Sequence, residues 1–326
     1  MPLDSINETQ TKIAALRMDL RVGKIFSSLG KSVGLIIDSA SQDLPVTEVK
    51  VPQDEDDVVE LLKIINEQLG KGDMDEISDD NINLLMDHLG SFKAQIRDGG
   101  VFTLFGDLLQ YDILTKNQKI MIFDRLISDQ MLLSHINETQ NDAAYLRAYT
   151  LILLATLIYI DRAGTTFIDP KRRSRLVNQI VLYTMLENDT RGYEDGRGWI
   201  HAYTHLGNVL DELASDEKLV RADKILLMCT VIEKIKRLKT PLIYGESIRL
   251  AVYIADQLYE DDVYQQFLLI ELREWRRSLE TIQMRESSAM WNALFNRQRF
   301  LQALVLNPDM ANSIVEYLEN SNDFTV

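Results

Sequence analysis

The sequence is poor in cysteine, with Cys229 alone among 326 residues. A single thiol forms no disulfide within the chain, and it supplies neither a CxxC pair nor the cysteine spacing of a zinc site. Because Cys229 follows the apolar residues 225–228, we expect a buried core thiol. The lack of a disulfide framework favours a reducing compartment, so the sequence predicts a cytoplasmic protein.

Proline and glycine are also scarce, at 6 and 15 residues. Sandwiches, barrels and other turn-dense folds need many such residues between their strands, so this composition argues against them and favours helices. The length is about twice that of a typical domain, which allows one long repetitive architecture or two domains.

Long hydrophobic runs are missing as well. The strongest run covers residues 149–160 and is closed by Asp161 and Arg162. At about twelve residues it is shorter than the roughly 20 needed to span a bilayer, so we expect a helix buried in a protein core. The first residues are acidic early and lack a continuous apolar stretch, which argues against a signal peptide.

Basic residues are fewer than acidic ones. The chain has 35 basic and 50 acidic residues, which give a formal net charge of −15. Such a surface repels phosphate backbones and anionic membranes. The charge therefore argues against nucleic acid and membranes as partners. The hydrophobic share of 46% and charged share of 26% are those of a soluble globular protein.

Helical periodicity is present almost everywhere after about residue 55. Acidic residues 54–57 and 79–80 precede apolar residues at helical spacing, as at helix N-termini. Further periodic segments cover residues 98–111, 116–136, 142–161, 170–187, 198–214, 217–237, 244–259, 263–281, 287–304 and 308–319.

These segments, about twelve in all and joined by short breaks, indicate consecutive antiparallel helix hairpins of roughly 40 residues. The sequence thus predicts an all-α fold, an α/α superhelix of the HEAT-like solenoid type. The same lengths allow a closed helical bundle or toroid. We expect residues 51–326 to form a single all-helical, repeat-like domain.

Residues 1–50 have a different character. A helix is predicted from about residue 5 to 28. Residues 32–37 and 46–51 are β-branched and partly alternating among Gly, Ser and Pro. We therefore interpret residues 1–50 as an N-terminal appendage that is partly irregular.

Two of the four histidines, His201 and His205, are four residues apart. On a helix they lie on one face about one turn apart, where two imidazoles can share a metal ion. Position 202 is Ala, so the general base of an HExxH metallopeptidase is absent, and a third ligand must come from another segment. The alternative is that both histidines form hydrogen bonds or pack beside Trp199 and Tyr203.

The loop before this helix contains Gly192, Gly196 and Gly198 among charged residues. Such glycines predict a tight turn with unusual torsion angles or close backbone approach. The turn either locks two helices together or binds an anion at a helix N-terminus. The phosphate-binding pattern GxxxxGK[ST] is missing.

Five segments carry a resemblance to a known family. They are Glu187-x-Asp189-x-Arg191-Gly192-Tyr193; Gly196-x-Gly198-Trp199-x-His201-Ala202 with His205; Ile96-Arg97-Asp98; Leu146-Arg147-Ala148-Tyr149-Thr150-Leu151; and Gly245-Glu246-x-x-Arg249-Leu250-Ala251. Over about residues 55–310 the chain resembles a family from Gram-positive bacteria known as domain of unknown function 2785. The resemblance implies an α-helical, repeat-like fold and no established activity.

Two functions of different classes follow. The first is a non-enzymatic scaffold, without a cofactor, that binds an unknown protein or peptide partner in a concave groove. The second is a metal-dependent hydrolase or lyase, in which His201, His205 and a carboxylate such as Asp189 or Glu246 hold one divalent metal such as zinc, whose bound water is the nucleophile. The sequence favours the scaffold over the enzyme.

The candidate functional residues are the same for both hypotheses, and we expect them to converge on one concave site. They are Glu187, Asp189, Arg191, Trp199, His201, His205, Glu246 and Arg249.

Overall fold

The computed structural model describes residues 2–40, 44–138, 140–164, 166–280 and 286–325. Helices dominate this part of the chain, and its regular strands are limited to one pair of two residues each. The prediction of an all-α fold is confirmed. The solenoid arrangement and its alternative, a closed bundle or toroid, stay predictions.

The helices up to residue 132 are α1 (Pro2–Arg21), α2 (Leu29–Ala40), α3 (Glu55–Lys71), α4 (Asp79–Asp87), α5 (Ala94–Ile96), a π-helix (Arg97–Phe102), α6 (Thr103–Gln110), α7 (Lys116–Leu126) and α8 (Asp129–Leu132). The later elements are α9 (Ala144–Ala163), α10 (Pro170–Leu186), β1 (Tyr193–Glu194), β2 (Gly198–Trp199), α11 (Ala202–Ala214), α12 (Arg221–Arg237), α13 (Glu246–Glu260), α14 (Asp262–Leu279), α15 (Ser288–Leu306), α16 (Asn312–Glu319) and α17 (Asn322–Thr325).

The N-terminal residues are more helical than their composition indicates. Residues 32–37 lie inside α2, where Val33, Ile36 and Ile37 are buried. These side chains are spaced three and four residues apart, so burial of one helix face outweighs the strand preference of β-branched residues. Residues 46–51 lie in no helix or strand.

The described chain forms two compact units. Unit 1 contains Met1–Asp43, Val177–Thr190 and Leu210–Val326, and unit 2 contains Leu44–Leu176 and Arg191–Val209. None of the boundaries between these units falls between residues 50 and 51. The division into an N-terminal appendage and one repeat-like domain stays a prediction.

Unit 1 is built around α12, where every residue from Asp223 to Ile235 is buried. Helices α1, α2, α14 and α15 pack against it. Asp223 is 1% exposed, and it accepts hydrogen bonds from Arg17 at 2.8 and 2.6 Å and from Arg21 at 2.9 and 2.5 Å. These charged donors hold the pKa of Asp223 below its usual value against the opposing effect of burial. The ion pairs make a buried carboxylate tolerable in the centre of the unit.

Unit 2 is built around α9, which packs against α6, α7, α8 and the π-helix. Residues 149–160 lie within it and are buried apart from its outer face, where Tyr159 is 51% exposed. By length and composition alone, α9 is the one described helix that could cross a bilayer. Because 72% of its apolar window is buried inside the protein, this is weak evidence for a membrane span.

We predict that Leu154→Ala destabilises the protein by about 2–5 kcal/mol, because it leaves a cavity around a side chain that is 0% exposed. Leu154→Asp adds a buried unpaired charge and should prevent folding. Urea denaturation followed by circular dichroism measures both, with Tyr159→Ala on the same helix as the control. Equal unfolding midpoints for Leu154→Ala and the wild type would contradict the core position of α9.

Candidate functional site

Two residues of the resemblance that belong to unit 2, Tyr149 and Trp199, contact a buried cation, Arg97. Arg97 is 0% exposed, and its guanidinium carbon lies 4.3 Å from the ring centre of Tyr145 and 4.8 Å from that of Tyr149. The guanidinium donates to the carbonyl oxygens of Arg197 at 2.7 Å and Trp199 at 3.3 Å. Carbonyl dipoles and aromatic faces together stabilise a charge that water does not reach.

Arg97 begins the π-helix Arg97–Phe102. A single π-helical turn inserted between α-helices is rare and is found frequently at functional sites. Gly100 lies within this turn, where an added Cβ atom would come within 2.7 Å of Leu62 Cδ1 and 2.9 Å of the Gln95 carbonyl oxygen. Only glycine lets the widened turn pack this closely.

The glycine-rich loop forms the short β1–β2 hairpin, with Glu194 paired to Gly198. Gly196 and Gly198 have positive φ angles of 79° and 81°, so the expected unusual torsion angles are present. At Gly198 an added Cβ atom would lie 3.0 Å from Ala94 Cβ and 3.4 Å from Arg97 Nη2. The glycine therefore lets the hairpin approach the buried guanidinium.

Next to this hairpin, six rings follow one another with centroids 4.0 to 5.9 Å apart. We call them the aromatic row; in order they are Tyr193, Trp199, His201, His205, Tyr149 and Phe102. Tyr193 is 49% exposed, whereas Tyr149 is only 3% exposed. The row thus has an exposed end at Tyr193 and includes the buried ring of Tyr149.

His201 has a left-handed backbone, with φ of 61°. This conformation costs a non-glycine residue about 1–2 kcal/mol, and such strain is concentrated at functional sites. It positions the imidazole on Trp199, with the ring planes 11° apart and the centroids 4.0 Å apart. The His201 carbonyl accepts a hydrogen bond from the His205 amide at 2.9 Å, as the first helical bond of α11.

Both histidines are kept neutral by their surroundings. Burial lowers the pKa of His201, and burial together with the neighbouring imidazole lowers the pKa of His205 to about 3. The Nδ1 atom of each ring is buried and makes no hydrogen bond. Each ring therefore keeps one hydrogen-bonding position for which the protein supplies no partner.

The His201–His205 pair lacks the surroundings of a metal centre in the described part of the chain. Those residues contain no group of three or more His, Cys, Asp or Glu side chains that could hold a metal ion. Since a catalytic zinc needs three protein ligands, nothing in that part of the chain favours the hydrolase alternative.

Arg191 lies at the edge of this cluster, among groups that the sequence did not single out. It donates to Glu194 Oε1 at 3.0 Å, to Asp142 Oδ1 at 3.4 Å and to the Asn141 carbonyl at 2.9 Å. Arg197 donates to the other oxygen of Asp142 at 2.8 Å. These ion pairs attach the β1–β2 hairpin to the segment before α9.

The other new participants are Tyr145 and Glu194. The Tyr145 hydroxyl donates to Glu194 Oε2 at 2.6 Å, and burial together with this carboxylate raises the Tyr145 pKa. Glu194 lies within the glycine-rich loop, so the sequence could have identified it as a member of the site. Asp142 could not be identified in this way, because it lies about 50 residues before Arg191 in the sequence.

Glu187 and Asp189 belong to unit 1. Glu187 is 1% exposed and accepts hydrogen bonds from the Tyr183 hydroxyl at 2.8 Å and the Asp189 amide at 2.9 Å. Nearby, Lys234 Nζ donates to the Met185 carbonyl at 3.0 Å, and burial lowers the Lys234 pKa to about 7. These contacts fix the chain at the C-terminal end of α10.

Glu246 and Arg249 also belong to unit 1, on α13. Glu246 is 2% exposed, accepts a hydrogen bond from the Tyr244 amide at 2.7 Å, and has its pKa raised by burial. Arg249 pairs with Asp211. The convergence of all eight candidate residues on one concave site stays a prediction.

We predict that His205→Gln removes part of the acid sensitivity of folding. The unfolded imidazole binds a proton near pH 6.5 and the folded one near 3, so the free energy of unfolding falls as the pH drops below about 6.5. The loss should reach about 1 kcal/mol per pH unit, below the full linkage value because the side chain is partly exposed. Urea titrations at several pH values should show a shallower slope for the variant, and parallel curves would disprove the assignment.

Comparison with known proteins gives a family without a function. The model of the family described as "Protein of unknown function (DUF2785)" matches residues 132–306, which is more than half of the chain. No curated protein and no solved structure matches. The matched range contains the β1–β2 hairpin, His201 and His205. The chain therefore belongs to the DUF2785 family of proteins of unknown function.

Proposed function

We propose that this protein is a non-enzymatic binding module that recognises a protein or peptide partner through the aromatic row of unit 2. The observation that carries the proposal is the row itself, six rings in sequence with Tyr193 exposed at its outer end. Tryptophan and tyrosine dominate binding hot spots because they bury large areas while keeping one polar group accessible.

Rigidity of the row supports a binding role. Trp199 is stacked on His201, whose backbone is held in the left-handed region, and the hairpin is bound to the buried Arg97 through two carbonyl groups. A surface that is already ordered loses little conformational entropy on association. The row is therefore suited to binding without rearrangement.

The polar groups of the site support selectivity for a neutral or mildly polar segment. Arg191 and Arg197 are paired with Asp142 and Glu194, so their charges are balanced within unit 2. The neutral histidines add aromatic surface to the row and no charge at neutral pH. The net charge of −15 argues against a nucleic-acid partner. A cytoplasmic setting fits the single buried thiol, Cys229.

The test uses peptides selected from a random display library against the purified full chain, with their affinities measured by calorimetry. We predict that Tyr193→Ala and Trp199→Ala each weaken the selected peptides at least tenfold, about 1.4 kcal/mol, because each removes a ring of the row. Tyr259→Ala should leave affinity unchanged, since Tyr259 is 92% exposed and belongs to unit 1.

Two outcomes would overturn the proposal. One is a set of peptides that bind the wild type and both row variants equally. The other is a selection that yields no peptide with measurable affinity. Circular dichroism of Tyr193→Ala serves as the check on folding, because this side chain is half exposed and its removal leaves the core intact.

A further inference from the structure

The N-terminal helices α1 and α2 contact each other and both pack on α12 of unit 1. Charged groups fix each helix. Arg17 and Arg21 of α1 bind Asp223, and Asp38 of α2 accepts a hydrogen bond from Arg237 Nε at 2.8 Å. We call α1 and α2 the N-terminal hairpin; its contacts with α12 are ionic as well as apolar.

Two buried carboxylates lie beneath α2. Glu233 of α12 and Glu271 of α14 are 4% and 2% exposed. Lys236 Nζ binds both carboxylates and lies 3.2 Å from Glu271 Oε2, while Arg237 binds Glu233 as well as Asp38. The two glutamates therefore share their cations in an environment that excludes water.

The backbone of α2 closes this cluster directly. An added Cβ atom at Gly30 would overlap the carboxylate oxygens of Glu271, and one at Gly34 would overlap the guanidinium of Arg237 and Glu233 Oε2. Glycine is unfavourable inside a helix, so two glycines one turn apart are explained by this close approach. Any water that reaches the carboxylates from this side must displace α2.

The charged and titratable groups around the cluster come from three helices. They are Asp38 of α2; Cys229, Glu233, Lys236 and Arg237 of α12; and Glu271 of α14. From α1, Arg17 and Arg21 face Asp223 at the other end of α12. Asp38 is 59% exposed to water, so the buried carboxylates are Glu233 and Glu271. Arg237 and Lys236 both bind Glu233, whereas Glu271 binds only the lysine that it shares with Glu233 in the described part of the chain.

We propose that Glu233, Lys236 and Glu271 form a pH-sensitive latch, in which one proton held by the two glutamates keeps the N-terminal hairpin seated and loss of that proton releases it from α12 and α14. Without the proton, Glu271 is a buried carboxylate whose cation, Lys236, lies 3.2 Å away and is shared with Glu233. A buried carboxylate with only part of a counter-charge is destabilising, and water can solvate it from the side of α2 only after that helix has moved.

The direction of the effect follows from Glu271. Burial and the adjacent Glu233 raise its pKa to about 7, against the attraction of Lys236. A carboxyl group whose pKa is raised by folding stabilises the folded state at low pH, and this stabilisation is lost as the pH rises through the folded-state value. Release of the hairpin should therefore increase from mildly acidic to mildly alkaline pH.

Hydrogen exchange of the full chain, read by mass spectrometry and corrected for the intrinsic pH dependence of exchange, tests the latch. We predict that protection of α1 and α2 falls roughly tenfold between about pH 6 and pH 8, while α9 keeps its protection. Glu271→Gln should abolish this fall, because the amide stays neutral and has no proton to lose between these pH values. If Glu271→Gln does not fold, Glu233→Gln replaces it with the same expectation.

The matched control is Glu274→Gln on the same helix, since Glu274 is 53% exposed and pairs with Arg277 at the surface. This variant should keep the full pH dependence of the wild type. Protection of α1 and α2 that does not change with pH, an equal fall in Glu271→Gln, or a loss of protection spread over the whole chain would each overturn the proposal. The outcome is independent of peptide binding by the aromatic row.

Discussion

The guanidinium of Arg97 must be stabilised without water, and this requirement determines the local structure of unit 2. The ring faces of Tyr145 and Tyr149 lie over the guanidinium, and carbonyl groups of the β1–β2 hairpin accept its hydrogen bonds. Gly198 is needed for that approach. Through Tyr149 the same contact reaches His205, so one buried cation contacts the aromatic row at two residues, Trp199 and Tyr149.

The core of unit 1 depends on an analogous requirement. Helix α12 is buried on all sides although it contains Asp223, Glu233 and Lys234. Asp223 binds Arg17, 206 residues earlier in the chain, and Lys234 binds the Met185 carbonyl, whereas Glu233 pairs with Lys236 and Arg237 of α12 itself. Because replacing one member leaves the other charged and buried, such pairs constrain which segments can pack on α12 more than apolar contacts do.

Helical periodicity was enough to predict the all-α class and most helix positions, since apolar spacing is a local property of the sequence. The four-residue spacing that brings His201 and His205 close together is also a local property of the sequence. The burial of Cys229 in α12 was predictable from the apolar residues before it, whereas the burial of the charged residues of α12 was not, because Arg17 lies beside Asp223 only in the folded chain. The π-helix and the role of Asp142 were missed for the same reason, as both depend on contacts distant in sequence.

In this protein the usual order of the histidine and glutamate pKa values is reversed for His205 and Glu271. Histidine ordinarily titrates near neutrality and carboxylates well below it. Here burial lowers the pKa of His205 to about 3 and raises that of Glu271 to about 7. The imidazoles of the aromatic row therefore keep one protonation state across the neutral range, while the latch under α2 changes its own. The proposed binding by the row and the proposed release of the N-terminal hairpin thus depend on different titrating groups.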